Sequence, residues 1–165
     1  EYQEEGFVKS ESEFDADNNL ISKSMFKYEN SKVTENLYDG EGNLLARTIS
    51  TVNIDNLPIE VYQYYGDGSL LYHKVYTYLD NNKISSIEDY NENDQLFTKS
   101  VFRYDASNFL TEVQIYNSKN ILAQRKIFKN DAKGNATRIS IYSISDKFGT
   151  TVNELQSITE YAYKN

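Results

Sequence analysis

The chain has 165 residues, a formal net charge of −8, a single histidine and no cysteine. Without cysteine there are no disulfides or thiolate metal sites, and one imidazole is too few for a three-histidine metal centre. The acidic balance without any basic cluster excludes nucleic acid and anionic membranes as expected partners, and no apolar stretch is long enough to predict membrane insertion.

Tyrosine recurs every 26 residues, which marks the chain as a repeat array. The tyrosines are Tyr38, Tyr64, Tyr90, Tyr116 and Tyr142. A leucine follows the first four at a constant offset: Leu44, Leu70, Leu96 and Leu122. The first copy is two residues short, and the missing pair falls in a turn after Tyr28. We therefore predict a single repeat domain over 1–165, with repeats at about 14–37, 38–63, 64–89, 90–115 and 116–141 and a C-terminal cap at 142–165.

Five-residue polar separators divide each repeat into short segments. They are rich in Asp, Asn and Gly, which tolerate positive φ and bond to their own backbone, so they predict hairpin turns at 15–19, 39–43, 91–95, 105–109 and 131–135. The segments between them alternate in polarity and are rich in aromatic and β-branched residues, which predicts strands. The predicted strands are 7–14, 20–28, 33–38, 44–52, 58–64, 70–78, 84–90, 96–104, 110–116, 122–130, 136–142 and 155–163.

Short connections predict antiparallel pairing of consecutive strands, and only 143–154 is read as a long connection. The expected fold is all-β: an antiparallel β-meander of about twelve strands built from five hairpin repeats, curled as a single sheet. A closed up-and-down β-barrel is the alternative. We favour the sheet because identical repeats carry no feature that fixes a closing point. Pro58, the only proline, is expected to open a strand.

Alternation of side chains predicts a Val/Ile ladder on one face of the sheet and a Tyr/Phe/Leu ladder on the other. Aromatic residues of neighbouring strands are expected to share the second face, where they would stabilise the sheet by about 0.2–1 kcal/mol a pair. If exposed, they would form a stacking platform for sugar rings or a partner protein. These candidate ligand-binding residues are Tyr76, Tyr78, Tyr90, Phe102, Tyr104 and Tyr116.

The sequence predicts no catalytic, cofactor or metal site. His73 lies mid-strand with no oriented partner suggested by its spacing, so we interpret it as an ordinary strand residue rather than a general base. The D-x-D-x-N run 15–19 is similar to the opening of a calcium loop, but tight turns need the same residues, and turn chemistry is the preferred reading. Scattered carboxylates show no pair set apart for glycoside hydrolysis.

Three tracts, 38–50, 104–116 and 128–142, resemble the Tyr-Asp (YD) repeats of bacterial Rhs-type proteins. Tyr38-Asp39 and Tyr104-Asp105 match the signature pair of that family. Gly42-Asn43 and Gly134-Asn135 match its turn glycine and the residue after it. The resemblance implies a secreted or surface-exposed bacterial β-repeat protein, and it brings no catalytic residues with it.

Together these observations predict a non-enzymatic binding or scaffold module that is extracytoplasmic: secreted, periplasmic or surface-anchored. A carbohydrate-binding domain or carbohydrate-active enzyme that uses the tyrosine-rich face is one alternative, and an antitoxin or immunity-type protein is another. A protein or glycan partner is possible, no nucleic-acid partner is expected, and the sequence leaves the oligomeric state open.

Overall fold

The structure is a computed structural model that describes residue 1 and residues 7–163. All its regular elements are strands. They are β1 Ser10–Phe14, β2 Leu20–Glu29, β3 Lys32–Asp39, β4 Leu44–Val52, β5 Pro58–Tyr65, β6 Leu70–Tyr78, β7 Ile84–Tyr90, β8 Leu96–Tyr104, β9 Leu110–Asn117, β10 Leu122–Asn130, β11 Ala136–Lys147 and β12 Thr150–Glu160. The predicted all-β class is confirmed, and Pro58 opens β5 as expected.

The strands form one antiparallel sheet in sequence order, from β1 at one end to β12 at the other. β1 pairs with β2 and β12 pairs with β11. Among the described residues no pairing joins β1 to β12, so the barrel alternative is wrong. None of these residues forms a helix that could cross a membrane.

The five-residue separators are hairpin turns with a common geometry, and the turn 39–43 illustrates it. Asp39 N–H donates to the Asn43 carbonyl at 3.0 Å. The side-chain Oδ1 of Asp39 accepts the N–H of Glu41 at 3.0 Å and that of Asn43 at 2.8 Å. The fourth residue, Gly42, has φ +89°. An acceptor at the first position and a residue that tolerates positive φ at the fourth therefore close the turn.

The fourth turn position is not reserved for glycine. In other turns it has positive φ in Asn18, Asn56, Asn82, Asp94, Asn108 and Asn120. Asn and Asp are the side chains that best tolerate this conformation. The same turn is thus built from several sequences, and a register shift of one residue beside it recurs along the sheet, for example between Leu37 and Tyr38 and between Arg103 and Tyr104.

Two connections are shorter than five residues. Only 30–31 separates β2 from β3, with Asn30 at φ 53°, which explains the two residues missing from the first repeat. At the other end β11 extends to Lys147 and β12 begins at Thr150, joined by Phe148 and Gly149, both with positive φ. The predicted long connection 143–154 is therefore wrong. Residues 164–165 of the predicted cap lie outside the described residues.

The described residues bury few side chains, so the chain has little core. Val113 is the buried hydrophobic side chain of the described residues, and no side chain there is fully buried. The accessible surface is 11335 Å². A globular monomer of this mass would expose about 8,400 Å². The larger value is consistent with how few side chains of the described residues are buried.

The chain divides into two compact units. Unit 1 comprises Glu1–Tyr76 and Asp89–Gln95, and unit 2 comprises Thr77–Glu88 and Leu96–Asn165. Both units contain half-buried strands built by the same repeat. The candidate site described below lies within unit 1, and the single repeat domain stays a prediction.

Candidate ligand-binding face of unit 1

Four rings stack in a row on one face of unit 1, and we call them the ring row. They are Tyr64, Tyr62, His73 and Tyr90. Tyr62 lies directly across from His73 in the β5–β6 pairing, and their ring centroids are 4.0 Å apart with an interplanar angle of 11°. Tyr90 covers the other side of His73 at 4.7 Å, and Tyr64 stacks with Tyr62 at 6.2 Å. Such contacts stabilise a sheet beyond the area they bury.

His73 is the most buried polar residue of the row, with 6% of its surface exposed. Its Nδ1 lies 2.8 Å from Asp94 Oδ1, and the carboxylate accepts this hydrogen bond. Its Nε2 lies 3.3 Å from Glu60 Oε1 but has no hydrogen-bond partner among the described residues. Two rings and two carboxylates thus surround the imidazole. The sequence spacing gave no sign of these partners, and the interpretation of His73 as a strand residue rather than a general base stays a prediction.

The phenol of Tyr62 shares this environment. Its hydroxyl donates to Glu60 Oε1 at 3.2 Å. Burial first, and then the neighbouring Glu60 carboxylate, raise the pKa of Tyr62 to about 12. Both causes disfavour the phenolate, because a charged ring would lose solvation and face a like charge. The Tyr62 phenol is therefore protonated near neutral pH, and it stacks on His73 in this form.

A cleft of about 300 Å³ lies on unit 1 where β4, β5 and the β5–β6 turn meet. We call it the Arg47 cleft. Its lining residues are Leu44, Arg47, Ile49, Tyr64, Tyr65, Gly66, Asp67 and Gly68. Arg47 lies directly across from Tyr64 in the β4–β5 pairing, so the two side chains are neighbours on one face. The end of the ring row therefore forms one wall of the cleft.

A second cleft of about 380 Å³ lies near the start of the chain. It is lined by Phe7, Tyr28, Asn30, Val33, Val52 and Asn56. Phe7 and Tyr28 contact each other with ring centroids 4.8 Å apart. Among the described residues that line this cleft none is charged, and so they offer fewer groups that could orient a polar ligand.

The observed strand pairing places the residues of the predicted aromatic face on both faces of the sheet. Tyr90 stacks on His73, which is three residues from Tyr76 on β6 and so points to the opposite face from it. In unit 2, Tyr116 pairs with Lys99 whereas Phe102 pairs with Val113. Tyr116 and Phe102 therefore lie on opposite faces, and the expectation of one shared face is wrong.

All six predicted residues are half-buried. Tyr104 donates its hydroxyl to the Ile84 carbonyl at 2.9 Å, and burial raises its pKa. The separate Val/Ile and Tyr/Phe/Leu ladders are also incorrect, because Phe102 faces Val113 and Phe128 faces Ile139 across their strand pairs. A ligand-binding role for the six residues stays a prediction. The ring row and the Arg47 cleft were missed, although the 26-residue period aligns their residues.

The acidic turns use their carboxylates for the turn itself. Asp15 Oδ1 accepts the N–H of Asp17 and Asn19 at 2.9 and 2.7 Å, and Oδ2 accepts from the Asn19 amide at 2.9 Å. These bonds lower the pKa of Asp15, with the Asn19 side chain as the largest cause. Within residue 1 and residues 7–163, no group of three or more His, Cys, Asp or Glu side chains could hold a metal ion. Turn closure accounts for the D-x-D-x-N run.

No family model matches the chain, and no curated protein matches it. Among solved structures, it is similar to a porin-like protein from Bacteroides uniformis at a TM-score of 0.45 and 11% identity, covering 97% of this chain and 88% of that one. Similarity also extends to TcdB2-TccC3-Cdc42, at a TM-score of 0.28 and 13% identity over 88% of this chain. The same values, 0.28 and 13%, hold for the Photorhabdus luminescens Tc holotoxin pore over 87% of this chain.

The chain spans 10% of each of these two toxin chains and 88% of the porin-like protein. All three TM-scores are below 0.5 and all three identities are low. These similarities therefore support no argument about function or family, and membership of the YD-repeat proteins stays a prediction.

Proposed function

We propose that this chain is a non-enzymatic binding or scaffold module that acts outside the bacterial cytoplasm. The observation that carries the proposal is the exposure of large apolar side chains along the strands, which leaves them open to a partner. Leu45 is 47% exposed and Phe97 is 65% exposed, and each is the second residue of its strand, β4 and β8 respectively. Contiguous exposed apolar groups mark interaction surfaces, and the proposal takes these side chains as parts of such surfaces.

The surroundings of His73 support binding over catalysis. A general base needs access to the proton that it removes. The imidazole of His73 is stacked on both sides by Tyr62 and Tyr90, and Asp94 holds its Nδ1. These contacts use the ring for packing and alignment within unit 1. We therefore assign it a structural part in the binding face.

A partner protein is the first candidate ligand, and an immunity-type complex would be one form of this function. Sugar recognition is the second, and the Arg47 cleft specifically favours it. The cleft combines a tyrosine ring with charged groups, and ligand sites of this kind join an apolar surface to a few polar groups that orient the ligand. A site limited to two or three side chains suits a small ligand unit.

The test uses the intact chain, immobilised and exposed to fractionated cell-envelope material from the native host. We expect saturable retention of one component, and we expect the double variant Leu45→Ser, Phe97→Ser to weaken it. A Lys27→Ser variant, altered at an exposed position of β2, is the control for general surface effects. Equal retention by all three proteins would contradict the proposed surface.

Turnover is measured on the same protein with panels of glycosides, esters and peptides. The proposal predicts that every substrate is recovered unchanged. Conversion of any substrate, if abolished by a point change in one cleft, would overturn the non-enzymatic assignment. Fractionation of host cells tests the location separately, and a protein found wholly in the cytoplasm would overturn that part.

A further inference from the structure

The Arg47 cleft differs from the corresponding places in later repeats by its charge. One basic residue recurs with the 26-residue period in β4, β6, β8 and β10: Arg47, His73, Lys99 and Arg125. Three of the four have a carboxylate partner, at 2.8 Å for His73 and Asp94, 2.7 Å for Lys99 and Glu88, and 2.5 Å for Arg125 and Glu112.

Arg47 has a neutral partner instead. Its Nε donates to the Asn36 amide oxygen at 2.9 Å. Within the described residues no carboxylate forms an ion pair with it. Asn36 takes the repeat position of Glu88, and so a carboxylate is replaced by an amide at the same place. A guanidinium without an acidic partner lines an open cleft of a protein whose net charge is −8.

The turn beside Arg47 also lacks the acid found one period later. Asp94, at the fourth turn position, is the partner of His73. Gly68 stands at the same position of the β5–β6 turn, with φ +87° and no atom within 4 Å of where its Cβ would be. The missing side chain leaves room where the next repeat has a carboxylate. A ligand carboxylate could therefore pair with Arg47 in the way that the Asp94 carboxylate pairs with His73 one repeat later.

Two other residues that line the cleft, Tyr64 and Asp67, indicate which chemical group should carry the ligand carboxylate. Tyr64 ends the ring row, so a flat ligand face placed in the cleft would extend the stack. Asp67 is exposed, and its Oδ1 accepts both the N–H and the hydroxyl of Ser69 at 2.9 and 2.6 Å. Its Oδ2 has no partner in the described part of the chain and can accept a ligand hydroxyl. A ring with hydroxyl donors and a carboxylate satisfies all three groups.

We infer that the Arg47 cleft binds a carboxylate-bearing sugar unit. Arg47 pairs with the carboxylate, Tyr64 packs against the sugar ring, and Asp67 accepts from a hydroxyl group. A guanidinium binds a carboxylate through paired N–H donors, which makes it suited to this ligand. The inference deepens the proposed binding function and rests on it.

The site is held by close backbone packing. A Cβ at Gly66 would lie 1.9 Å from the Leu44 carbonyl oxygen, so the β5–β6 turn is in tight contact with the start of β4. The two segments that carry the cleft walls are thereby fixed to each other. A site preorganised in this way loses less entropy when the ligand binds.

The test titrates methyl glucuronide into the intact chain and follows the Arg47 and Tyr64 side chains by NMR. Methyl glucoside, which has the ring but lacks the carboxylate, and N-acetylglutamate, which has a carboxylate but lacks the ring, are the comparison ligands. We expect a Kd on the order of 1 mM for methyl glucuronide, as fits a ligand of this size. The two comparison ligands should bind about tenfold more weakly or not at all.

The repeat provides matched variants. Arg47→Gln should raise the Kd about tenfold, since a hydrogen bond to a charged group is lost. Arg125→Gln changes the same repeat position in β10, where Glu112 is already the partner, and should leave the Kd within about twofold. Tyr64→Leu should weaken binding, whereas Tyr142→Leu, at the equivalent tyrosine of β11, should not.

One further variant tests the missing acid. Gly68→Asp places an acid at the turn position of Asp94 and should abolish binding, because an internal carboxylate would then compete for Arg47. Circular dichroism of each variant reports whether it still folds.

Each outcome has a defined meaning. Binding of methyl glucuronide that depends on Arg47 and Tyr64 supports the inference. Equal binding by Arg47→Gln, preference for N-acetylglutamate, or no binding while envelope material is still retained would overturn the sugar assignment and leave the binding function standing. Cleavage or elimination of the glucuronide would instead overturn the non-enzymatic function itself.

Discussion

Asp94 Oδ1 lies 2.8 Å from His73 Nδ1, although 21 residues of chain separate the two. Asp94 belongs to the turn after β7 and has φ 56°, while His73 is in the middle of β6. The turn therefore does two things at this point: it reverses the chain, and it supplies a partner to a buried imidazole. Through this contact a turn of the repeat holds a member of the ring row in place.

Removal of this partner should destabilise the chain. Asp94→Ala leaves the buried Nδ1–H of His73 without an acceptor, which costs about 1–3 kcal/mol. Alanine at positive φ adds backbone strain, so Asn120→Ala is the control, because Asn120 has φ 58° at the same turn position one repeat later. The free energy of unfolding from urea titration should fall by this amount more for Asp94→Ala than for Asn120→Ala. Equal losses would show that the contact with His73 contributes nothing.

Acid should weaken the turns. The pKa values of Asp15, Asp39 and Asp131 are lowered, in each case chiefly by the side-chain hydrogen bond from the asparagine four residues later. A lowered pKa in the folded state gives stability that is present above the ordinary aspartate pKa of 3.8 and is lost as the pH falls through the lower folded value. The urea midpoint should therefore be level near pH 6 and decline below about pH 4.

A matched variant isolates these turns. Asn53, Asn91 and Asn117 hold the first turn position elsewhere and accept the same backbone N–H groups. Replacing Asp15, Asp39 and Asp131 by asparagine should therefore keep the turns while it reduces the acid dependence of the urea midpoint. If the urea midpoint of the triple variant fell with acid as steeply as that of the unaltered chain, groups other than these three aspartates would be responsible.

Alkali should destabilise the ring row. The pKa of Tyr62 is raised from 10.0 to about 12, so the folded chain keeps a proton that the unfolded chain releases. The resulting stability is complete below pH 10 and is lost as the pH rises toward 12. Tyr62→Phe should flatten the pH dependence of the unfolding midpoint across this range. A spectrophotometric titration in which every tyrosine ionises near pH 10 would contradict this prediction.

The β5–β6 turn should not accept a larger second residue. Gly66→Ala would bring a methyl group within 1.9 Å of the Leu44 carbonyl oxygen, and the required shift should cost about 1–3 kcal/mol. Ser118 has the same turn position in the β9–β10 turn and already carries a Cβ. Ser118→Ala should therefore change the free energy of unfolding by less than about 0.5 kcal/mol. Similar values for the two variants in urea titration would disprove the close contact.

Most of the fold could be predicted because the residues that form the turns can be recognised in the sequence. The predicted bounds of β4, β6, β8 and β10 match the structure, and turns with Asp or Asn at the first position and Gly or Asn at the fourth flank β4 and β10. The C-terminal hairpin was not predicted, because its turn residues cannot be recognised in this way. Its turn, Phe148-Gly149, has no such pattern, and a phenylalanine with φ 57° gives no local signal.

Faces and site were harder to predict than strands. Alternation within a strand tells which residues share a side of that strand, but the pairing register, which shifts by one residue beside many of the five-residue turns, decides which residues of the neighbouring strand they meet. Tyr90 was therefore placed with Tyr76 when it stacks on His73. Aligning the repeats places Asp94 with Gly68 and His73 with Arg47. This alignment would have indicated that His73 has an acidic partner in the following turn and that Arg47 lacks one.

The central claim is that large apolar side chains of the sheet are open for binding, and hydroxyl-radical footprinting of the isolated chain tests it most directly. The measurement should be made at a concentration where sedimentation shows a monomer. Phe97, 65% exposed, and Leu45, 47% exposed, should be oxidised readily, whereas Val113, 8% exposed, should be protected. Protection of Phe97 and Leu45 to the level of Val113 would show that the face is covered, and would contradict the account.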